Sequence, residues 1–501
     1  MTSHSQPLEP DDFDVPEQFR VRREKLARIR AEGLDPYPVG FPRTAFIAEI
    51  RAAYGDLPPD TFTGQHASIA GRLMLSRIGG KLCFGVLRDG SGDLQIMLSA
   101  QKVGDRALAL WKSLVDLGDH IGVHGEIITS RSGELSILAD SWSFTSKALR
   151  PLPEKHKGLT DPEARIRRRY VDLIVNSRAR SMVHIRAAVL RSLRDTLSRR
   201  GYLEVETPVL QLVHGGAAAR PFRTHLNAFD LPLYLRIALE LPLKRLVVGG
   251  LERVYEIGRV FRNEGVDSSH SPEFTELEAY EAYGDYDTMA DLVRELVLDA
   301  AKAIDAVQVL GSSGDVIDLA GPWRTVTVHQ AVSEAVGEEI TVDTPAAVLH
   351  QIAARYNVPV PPAAEHGEVV CELFEKVAQP AIVQPTFVRD FPASVRPLAR
   401  PHRTDPRLAE AWDLIINGIE LAPAYSELVD PVEQRRRLTE QSVRAAGGDP
   451  EAMQLDEDFL QALEYGAPPM GGLGLGVDRL LMLLTGSGIR DVILFPLVRP
   501  E

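Results

Sequence analysis

The sequence predicts an α+β protein with a small β-rich domain followed by a larger domain of mixed helices and strands. Five short strand patterns separated by glycine-containing turns lie between residues 66 and 146. Long helical patterns and hairpin-like strands then alternate from about residue 161 to the end. With 501 residues, the chain is too long for one small core, and its length alone favours roughly three domains.

The N-terminal region consists of a tail and a helix. Residues 1–15 are acidic and contain proline, a composition typical of a disordered tail. Residues 16–60 contain a helix and a connection, and the helix runs from Pro16 to Glu32 before Gly33 stops it. Apolar residues recur at helical spacing against an arginine-rich face, namely Phe19, Val21, Leu26 and Ile29.

Residues 61–150 have the pattern of a small barrel, in which short strands alternate with glycine turns. The five strands are predicted at Ser68–Leu73, Leu82–Leu87, Leu94–Leu98, Ile121–Ile127 and Glu134–Leu138. One helical interval, around Val103–Leu114, separates the third strand from the fourth. Five strands with a helix in that place match an oligonucleotide-binding (OB) barrel, and a five-stranded barrel of another kind is the alternative.

The rest of the chain is predicted to form the larger domain. Residues 151–170 open with prolines and are interpreted as a linker, and residues 171–501 follow as one α+β region. This region begins with a long helix near Arg178–Gly201 and a strand at Leu203–Pro208 that proline ends. Between about residues 285 and 380, helices alternate with short strands and carry no evident chemistry, which indicates a helical insertion.

Composition excludes several broad classes of protein. The net charge of −14 argues against a general coat for nucleic acid. Two cysteines, Cys83 and Cys371, are too few for a disulfide scaffold or a zinc site, and they fit a reducing cytoplasm. The sequence opens with a polar, acidic segment and has no apolar run of about eighteen residues, so we expect neither a signal peptide nor a membrane span.

Basic residues nevertheless crowd two segments of this acidic chain. One segment holds Arg20, Arg22, Arg23, Lys25, Arg28 and Arg30, and the other holds Arg165, Arg167, Arg168 and Arg169. A solvated helix face explains either segment taken alone. Because the two segments flank the β-rich domain, together they favour a restricted path for a polyanion.

The most informative segment runs from Val260 to Tyr280 and predicts a strand, a turn and a returning strand. Arg262 follows the first strand and precedes the turn-prone sequence Asn263-Glu264-Gly265. Four side chains of the second strand share one face: Phe274, Glu276, Glu278 and Tyr280. A solvated antiparallel face is one interpretation. In the other, Arg262 bridges a carboxylate and a phosphate while Phe274 stacks on a base.

A second motif lies about two hundred residues further along, where a glycine-broken strand leads into an apolar helix over Gly472–Leu484. Glycines permit close approach of a ligand, and Arg479 lies in the first helical turn, where backbone amides favour anions. A tight connection without a ligand is the alternative. The segment is not a dinucleotide fingerprint, because no βαβ unit surrounds it.

Two acidic residues suggest a metal site. Asp413 and Glu420 stand on either side of Asn417-Gly418, and a bend at Gly418 would bring their carboxylates together. Converging acids beside phosphate-binding arginines are typical of Mg²⁺ ligands, although surface acids are the alternative.

Three further glutamates, Glu240, Glu278 and Glu427, lie in apolar surroundings. Buried carboxylates require cationic partners. A substrate with two ammonium groups would provide them, and lysine is such a substrate. Alternatively, basic residues of the chain pair with these carboxylates, the candidates being Arg236, Lys244 and Arg245.

Taken together, these motifs resemble the class II aminoacyl-tRNA synthetases, and among them the lysyl-tRNA synthetases. The resemblance covers nearly the whole chain from Arg20 to Pro500, and it is densest in His214–Phe222, Phe261–Glu273, Pro385–Phe387 and Gly472–Arg479. It implies an OB barrel that reads the anticodon, and a catalytic domain with a central antiparallel sheet of six to seven strands flanked by helices.

The resemblance also implies partners and chemistry. ATP would activate L-lysine to lysyl-adenylate, and the terminal ribose hydroxyl of tRNA(Lys) would then attack it without a covalent enzyme nucleophile. Two to three Mg²⁺ ions would act with ATP. The enzyme would be a cytoplasmic homodimer whose interface includes Gly201–Pro208.

By motif position, the resemblance implies a role for each candidate residue. The catalytic residues would be Arg262 and Arg479. ATP would be bound by Arg262, Glu264, His270, Phe274 and Arg479, with adenine between Phe274 and Arg479. Lysine would be bound by Gly216, Glu240, Arg262, Glu278, Tyr280 and Glu427. The metal ligands would be Asp413 and Glu420, and the anticodon would be bound by Arg77, Phe84, Gln95 and Glu134.

Five positions depart from the usual pattern of the family: Leu239, Pro242, Ser269, Glu276 and Pro423. Leu239 replaces a proline, Glu276 replaces an apolar residue, and Pro423 replaces a common asparagine of the lysine pocket. These departures keep open a specialised paralog that charges tRNA for lipid or natural-product modification or prefers a lysine analogue. A catalytically silent tRNA-binding regulator is the other alternative. The chain is also similar to the synthetase half of fusion proteins that lysylate membrane lipid, here without a membrane portion.

Overall fold

The computed structural model describes residues 17–153, 159–267, 269–447 and 452–499. They divide into two compact units, one up to Leu159 and the other from Thr160 onward. The predicted tail of residues 1–15 lies outside the described residues. The second half of the predicted linker is helical, and the Asp161 carboxylate caps its first helix by accepting two backbone N–H groups.

The first unit contains a closed five-stranded barrel, as the sequence predicts for an OB fold. Its strands are β1 (Phe62–Ile78), β2 (Leu82–Arg88), β3 (Asp93–Ser99), β4 (His120–Thr129) and β5 (Leu135–Ser146). Around the barrel they follow the order β1-β2-β3-β5-β4, in which only β3 and β5 run parallel. Alternate residues such as Cys83 and Leu94 point inward, so the residues between them face outward.

Four helices accompany the barrel: α1 (Glu17–Ala31), α2 (Ile47–Tyr54), α3 (Ala100–Val103) and α4 (Asp105–Leu114). The last two occupy the place of the helix predicted between the third and fourth strands. The stripe predicted on α1 is wrong at two positions, since Val21 is exposed and Arg22 is buried. Arg22 is tolerated there because its guanidinium donates to three backbone carbonyls, those of Leu117, Ala148 and Arg150, at 3.0–3.2 Å.

The second unit is built on an eight-stranded sheet, where six to seven strands were expected. The strands of this unit are β6 (Leu203–Glu204), β7 (Leu210–Gln211), β8 (Arg223–Leu226), β9 (Leu231–Leu235), β10 (Arg253–Phe261), β11 (Glu273–Ala282), β12 (Gln308–Leu310), β13 (Val316–Asp318), β14 (Arg324–Thr327), β15 (Thr386–Arg389), β16 (Ala411–Ile416), β17 (Ile419–Ser426) and β18 (Met470–Gly476). The large sheet has the order β14-β15-β16-β17-β18-β11-β10-β6, and smaller sheets join β7-β9-β8 and β12-β13.

The central strands of this sheet are antiparallel, and only the two edge pairs, β14–β15 and β10–β6, are parallel. Strand β6 contains only the first two residues of the predicted strand Leu203–Pro208. Val205 still donates its backbone N–H to the carbonyl of Tyr255 at 2.9 Å, but the strand does not continue to Pro208, which has no N–H group to donate.

Helices cover the sheet and enclose its cores. They are α5 (Pro162–Arg167), α6 (Arg169–Val175), α7 (Ser177–Arg199), α8 (Glu240–Val248), α9 (Tyr286–Lys302), α10 (Val328–Val336), α11 (Ala346–Arg355), α12 (His366–Leu373), α13 (Pro431–Ala446), α14 (Glu457–Glu464), α15 (Val477–Thr485) and α16 (Ile489–Val492). The helix predicted at Arg178–Gly201 is α7. Its residue Leu193 belongs to the same buried cluster as Leu296 of α9 and Leu481 of α15.

The region predicted as an insertion, residues 285–380, serves two cores. Helix α9 packs into the main core, whereas α10, α11 and α12 contribute Val332, Ile352 and Val370 to a separate cluster. Within the part of the chain that the structure describes, no helix has the length and apolar character to cross a membrane.

Candidate active site

A cavity of about 350 Å³ opens over one face of the central sheet. Strand β11 directs alternate side chains toward it: Phe274, Glu276, Glu278 and Tyr280. Their neighbours Leu277 and Ala279 point to the hydrophobic core on the other face. Because Glu278 and Tyr280 are themselves buried, this is not the solvated face that the sequence left open as an alternative.

Glycines of β18 leave room for these side chains. Gly472 lies opposite Tyr280, Gly474 opposite Glu278, and Gly476 opposite Glu276. A Cβ atom at Gly472 would collide with the Tyr280 ring and with the carboxylate of Glu427. The glycine-broken strand is therefore required by the cavity, and it is more than a tight connection.

Arg262 lies at the cavity, just past the end of β10. Its backbone N–H donates to the carbonyl of Pro272 at 2.9 Å, and its Nε donates to the carbonyl of Ile237 at 3.2 Å. The guanidinium carbon stands 5.0 Å from the centre of the Phe274 ring, and a terminal nitrogen lies 3.9 Å from Glu276 Oε2. The predicted base-stacking ring and the predicted phosphate-binding arginine are thus adjacent.

The loop after Arg262 supplies more of the cavity wall. Glu264 and His270 both line it, and both are largely exposed. The His270 ring lies 2.8 Å from the carboxylate of Asp267. Hydrogen bonds from the backbone of Ser269 and from His270 lower the pKa of Asp267.

Arg479 is held in place by its chain neighbour. Asp478 is buried, pairs with Arg186 of α7 at 2.5 Å, and accepts the backbone N–H of Thr275 at 2.7 Å. This carboxylate joins α15, α7 and β11, so the first turn of α15 is fixed beside the sheet. Arg479 then reaches the cavity and donates to the carbonyl of Glu420 at 2.8 Å.

The glutamates predicted to bind lysine converge in the cavity, together with Gly216. Glu278 accepts the hydroxyl of Tyr280 at 2.8 Å and the backbone N–H of Leu239 at 2.7 Å. A proline at position 239 would have no N–H to donate. Leu239 therefore provides a hydrogen bond to a pocket carboxylate that the proline expected there could not provide.

The three basic residues that the sequence offers as internal partners of these glutamates pair with different acids. Lys244 lies 2.5 Å from both Glu240 and Glu427 and is 1% exposed. Arg236 instead pairs with Glu256 at 2.6 Å, and Arg245 pairs with acids of α14 and its N-cap. Internal pairing therefore applies to Glu240 and Glu427 but not to Glu278.

Burial opposes ionisation of the pocket carboxylates. Burial raises the pKa of Glu427 to about 8, against the effect of Lys244, and raises the pKa of Glu278 well above its usual range. The pKa of Glu276 is also raised by burial, while Arg262 and Arg479 oppose the rise. A bound ammonium group would favour the ionised form of all three carboxylates.

The two predicted metal ligands have different environments. Glu420 lines the cavity, whereas Asp413 is buried behind it and pairs with Arg396 at 2.5 Å. Asp413 Oδ1 has no hydrogen-bond partner among the described residues. Among those residues, no set of three acids, histidines or cysteines is arranged to hold a metal ion. Two carboxylates with one free buried oxygen still fit Mg²⁺, which binds through few protein ligands and keeps several waters.

Pro423 helps to open the cavity between two strands. In β17 it lies opposite Asp413, and the pairing of β17 with β18 begins only at the next residue, Ala424. A proline cannot donate to a ladder, so it suits the point where the two strands separate. Pro423 lies on the cavity wall, near Gly474 and Glu276.

The four predicted anticodon residues lie on one side of the barrel, on β1, β2, β3 and the turn before β5. Arg77 is opposite Phe84, and Gln95 bonds Ser136 at 2.9 Å. Arg77 and Glu134 are exposed, and Phe84 and Gln95 are half-buried, so the residues are accessible from solvent.

The second arginine-rich segment does not form a free basic surface. Arg165 and Arg169 both pair with Asp172, at 3.1 and 3.0 Å, and Arg169 is buried. Arg167 pairs with Glu163 at 3.0 Å. The segment joins the helices α5 and α6, so the polyanion path predicted from it is wrong for these three residues.

Three residues of the site escaped the sequence analysis as site residues. The sequence indicates Lys244 only as a structural partner of the glutamates, although its spacing of four from Glu240 places both on one helix face. Asp478 gave a weak signal as an acid in the first helical turn. Arg396 gave none, because only the tertiary fold brings it to Asp413 and the cavity.

Comparisons with known proteins agree with this arrangement. Residues 161–499 match the family described as tRNA synthetases class II (D, K and N), and residues 67–144 match the OB-fold nucleic acid binding domain. A lysine–tRNA ligase of Mycobacterium bovis is 54% identical over 496 residues, which cover 97% of this chain and 98% of that protein. One from Mycolicibacterium gilvum is 55% identical over 497 residues, with 98% and 99% covered.

A longer relative also contains this sequence pattern. The lysylphosphatidylglycerol biosynthesis bifunctional protein LysX of Mycolicibacterium vanbaalenii is 53% identical over 496 residues, which cover 98% of this chain and 44% of that protein. Both resemblances drawn from the motifs are confirmed. The chain belongs to the lysine–tRNA ligase family of class II aminoacyl-tRNA synthetases, with an OB-fold domain preceding the catalytic domain.

Proposed function

We propose that this enzyme activates L-lysine with ATP to lysyl-adenylate and transfers lysine to the 3′ end of tRNA(Lys). The observation that carries the proposal is the convergence of Glu240, Glu278 and Glu427 in one cavity beside Arg262. Two ammonium groups and one carboxylate are the charges of lysine, and this cavity complements all three. The end-to-end similarity to lysine–tRNA ligases supports the same substrate.

In the proposed first step, Arg262 contacts the lysine carboxylate and the α-phosphate together. It thereby brings the attacking oxygen and the phosphorus into line and stabilises the charge that develops between them. Adenine stacks on Phe274, with Arg479 on its other side. Glu264 and His270 bind the nucleotide from the loop. Two to three Mg²⁺ ions, held by Glu420 and Asp413, would neutralise phosphate charge when bound.

Lysine is oriented by carboxylates at both of its ends. Glu240, with the backbone at Gly216, holds the α-ammonium group. The ε-ammonium group is held by Glu278, Tyr280 and Glu427. The enzyme would therefore select its amino acid by the length of the side chain. Transfer then follows when the terminal ribose hydroxyl of tRNA attacks the adenylate, and no covalent enzyme intermediate is involved.

The barrel is proposed to recognise the anticodon. Phe84 stacks on a base, and Arg77, Gln95 and Glu134 provide hydrogen-bonding groups around it. The exposed arginines of α1 would contact the backbone of the same RNA.

A homodimer in the cytoplasm is the proposed working form. Exposed apolar side chains cluster in sequence after α7, namely Leu203, Val209, Leu210 and Leu212. Such a strip fits a self-complementary interface between two copies.

The test is lysine-dependent exchange of pyrophosphate into ATP, followed by charging of tRNA(Lys). Arg262→Ala should abolish exchange, whereas Phe84→Ala should leave exchange unchanged and raise the KM for tRNA roughly tenfold, since base stacking contributes about 1–3 kcal/mol. Exchange with a lysine analogue but not with lysine would favour the specialised paralog. Absence of exchange with any amino acid would favour the silent regulator, which the intact arginines do not support.

A further inference from the structure

Lys244 stands out among the buried charges because it pairs with two of the carboxylates that are proposed to bind the substrate lysine. Its ammonium group is 1% exposed and lies 2.5 Å from Glu240 Oε1 and 2.5 Å from Glu427 Oε2. Lys244 does not line the cavity, whereas both glutamates do. The lysine therefore contacts the two carboxylates from the protein side, and the substrate would contact them from the cavity side.

The second oxygen of each carboxylate points toward a glycine of the cavity wall. Glu240 Oε2 lies beside Gly216, and Glu427 Oε1 lies beside Gly472. Neither oxygen of Glu427 has a hydrogen-bond partner among the described residues, and Oε2 contacts Lys244 as an ion pair at 2.5 Å. Each carboxylate thus has one oxygen engaged by Lys244 and another turned to the side from which a ligand would approach.

We propose that Lys244 is a positioning residue for the amino acid. Its buried ammonium group pairs with one oxygen of Glu240 and one oxygen of Glu427. The other oxygen of each carboxylate is then oriented toward an ammonium group of the substrate. This inference rests on the lysine-binding role proposed for the two glutamates. The orientation and charge of Glu240 and Glu427 would then depend on Lys244, a cation of the protein itself.

Lys244 also affects the protonation of the pocket carboxylates. Several acids and phenols face the carboxylate pair from neighbouring strands: Glu276, Glu278 and Tyr280 on β11, and Tyr425 on β17. Burial raises the pKa of Glu427 to about 8, and Lys244 opposes the rise. Without Lys244 this pKa would be higher still, and the carboxylate would be protonated over more of the neutral range.

The sign of the pH dependence follows from these directions. A substrate ammonium group binds the ionised carboxylate, so affinity for lysine should increase as pH rises through the pKa of Glu427. Removing Lys244 should move that increase to higher pH. Binding of ATP involves other residues and should not follow this change.

The experiment compares full-length wild type with Lys244→Met, which keeps the length of the side chain and removes its charge. The KM for lysine and the KM for ATP are measured by pyrophosphate exchange between pH 6.5 and 9. We expect at least a tenfold rise in the KM for lysine at pH 7, an alkaline shift of its pH midpoint, and an ATP KM within twofold of wild type. Lys302→Met, at a surface lysine that is 62% exposed, is the matched control and should match wild type.

Two further measurements cover the outcomes in which Lys244→Met does not fold or the wild type is inactive. If Lys244→Met does not fold, the double variant Lys244→Met/Glu427→Gln removes the uncompensated charge; we expect it to fold and to bind ATP, but to show a KM for lysine above that of the single variant Glu427→Gln. A KM for lysine equal to that of Glu427→Gln would overturn the proposal, as would an unchanged pH midpoint in Lys244→Met. If wild type itself shows no lysine-dependent exchange, the proposed function fails instead.

Discussion

At the scale of single residues, Glu276 adds a carboxylate to the cavity at a position where the resemblance to the family implies an apolar residue. Glu276 occupies the cavity face of β11, 3.9 Å from Arg262, and its charge is also opposed by Arg479. Both arginines are proposed to bind ATP. Glu276 is therefore an internal anion that competes with phosphate for the same cations.

Replacing Glu276 by methionine should strengthen ATP binding. We expect the KM for ATP to fall about fivefold, which corresponds to roughly 1 kcal/mol. Because burial raises the pKa of Glu276, the gain should be largest at alkaline pH, where the wild-type carboxylate is ionised, and should fade as pH falls.

Pyrophosphate exchange at saturating lysine over a range of pH measures this effect. Glu273→Gln is the control, since Glu273 begins the same strand but is exposed and does not line the cavity. A higher KM for ATP in Glu276→Met would show that the carboxylate assists ATP binding, for instance by holding Mg²⁺.

At the scale of secondary-structure elements, helix α1 offers a basic face. Four exposed arginines lie on it, Arg20, Arg23, Arg28 and Arg30, and none forms an ion pair within the described part of the chain. At 100° per residue they fall on one half of the helix surface. Arg22 lies on the opposite, buried side and serves the fold of the first unit.

Changing these four arginines to glutamine should weaken tRNA binding and leave amino-acid activation intact. The KM for tRNA should rise, and its dependence on salt should become shallower by about 0.7 in logarithmic slope for each phosphate that is no longer neutralised. Charging assays at several salt concentrations measure both changes. Arg324→Gln/Arg355→Gln, at exposed arginines already paired with glutamates, is the control. An unchanged salt slope would contradict the proposed role of α1.

The junction of α7, β11 and α15 is a second element-scale feature. Arg186→Leu would leave Asp478 buried without its cation, which typically costs about 3–5 kcal/mol. We expect a lower urea midpoint for the second unit and a raised KM for ATP, because Arg479 loses its fixed position. The double variant Arg186→Leu/Asp478→Leu should recover part of the urea midpoint. Wild-type stability in the single variant would show that the pair does not anchor α15.

At the scale of the whole molecule, the proposed dimer would bury an exposed apolar strip of the second unit. Leu203, Leu210 and Leu212 are 53%, 49% and 64% exposed, and β6 is an edge strand of the large sheet. Leu210→Asp/Leu212→Asp should therefore convert a dimer into a monomer in size-exclusion chromatography with light scattering. Leu310→Asp, at an exposed leucine of β12, should not change the mass. A wild-type monomer would rule the dimer out.

The sequence by itself determined the barrel, the domain with the antiparallel sheet, the cavity arginines Arg262 and Arg479, and the carboxylates of the pocket. It could do so because strand and helix periodicity is local, and because Arg262, Phe274 and Glu278 belong to contiguous motifs. The barrel, with its helix between the third and fourth strands, is confirmed for the same reason. The buried Arg22 was missed, since periodicity cannot foresee three carbonyls contributed by distant loops.

Only the tertiary structure decided how the charges are partnered. Pairing depends on distances between segments far apart in the chain, which local patterns do not encode. Lys244 joins Glu240 to Glu427, Arg396 holds Asp413 behind the cavity wall, and the N–H of Leu239 reaches Glu278. Desolvation makes these interactions decisive, because a buried carboxylate is ionised only where a cation or a donor lies within reach.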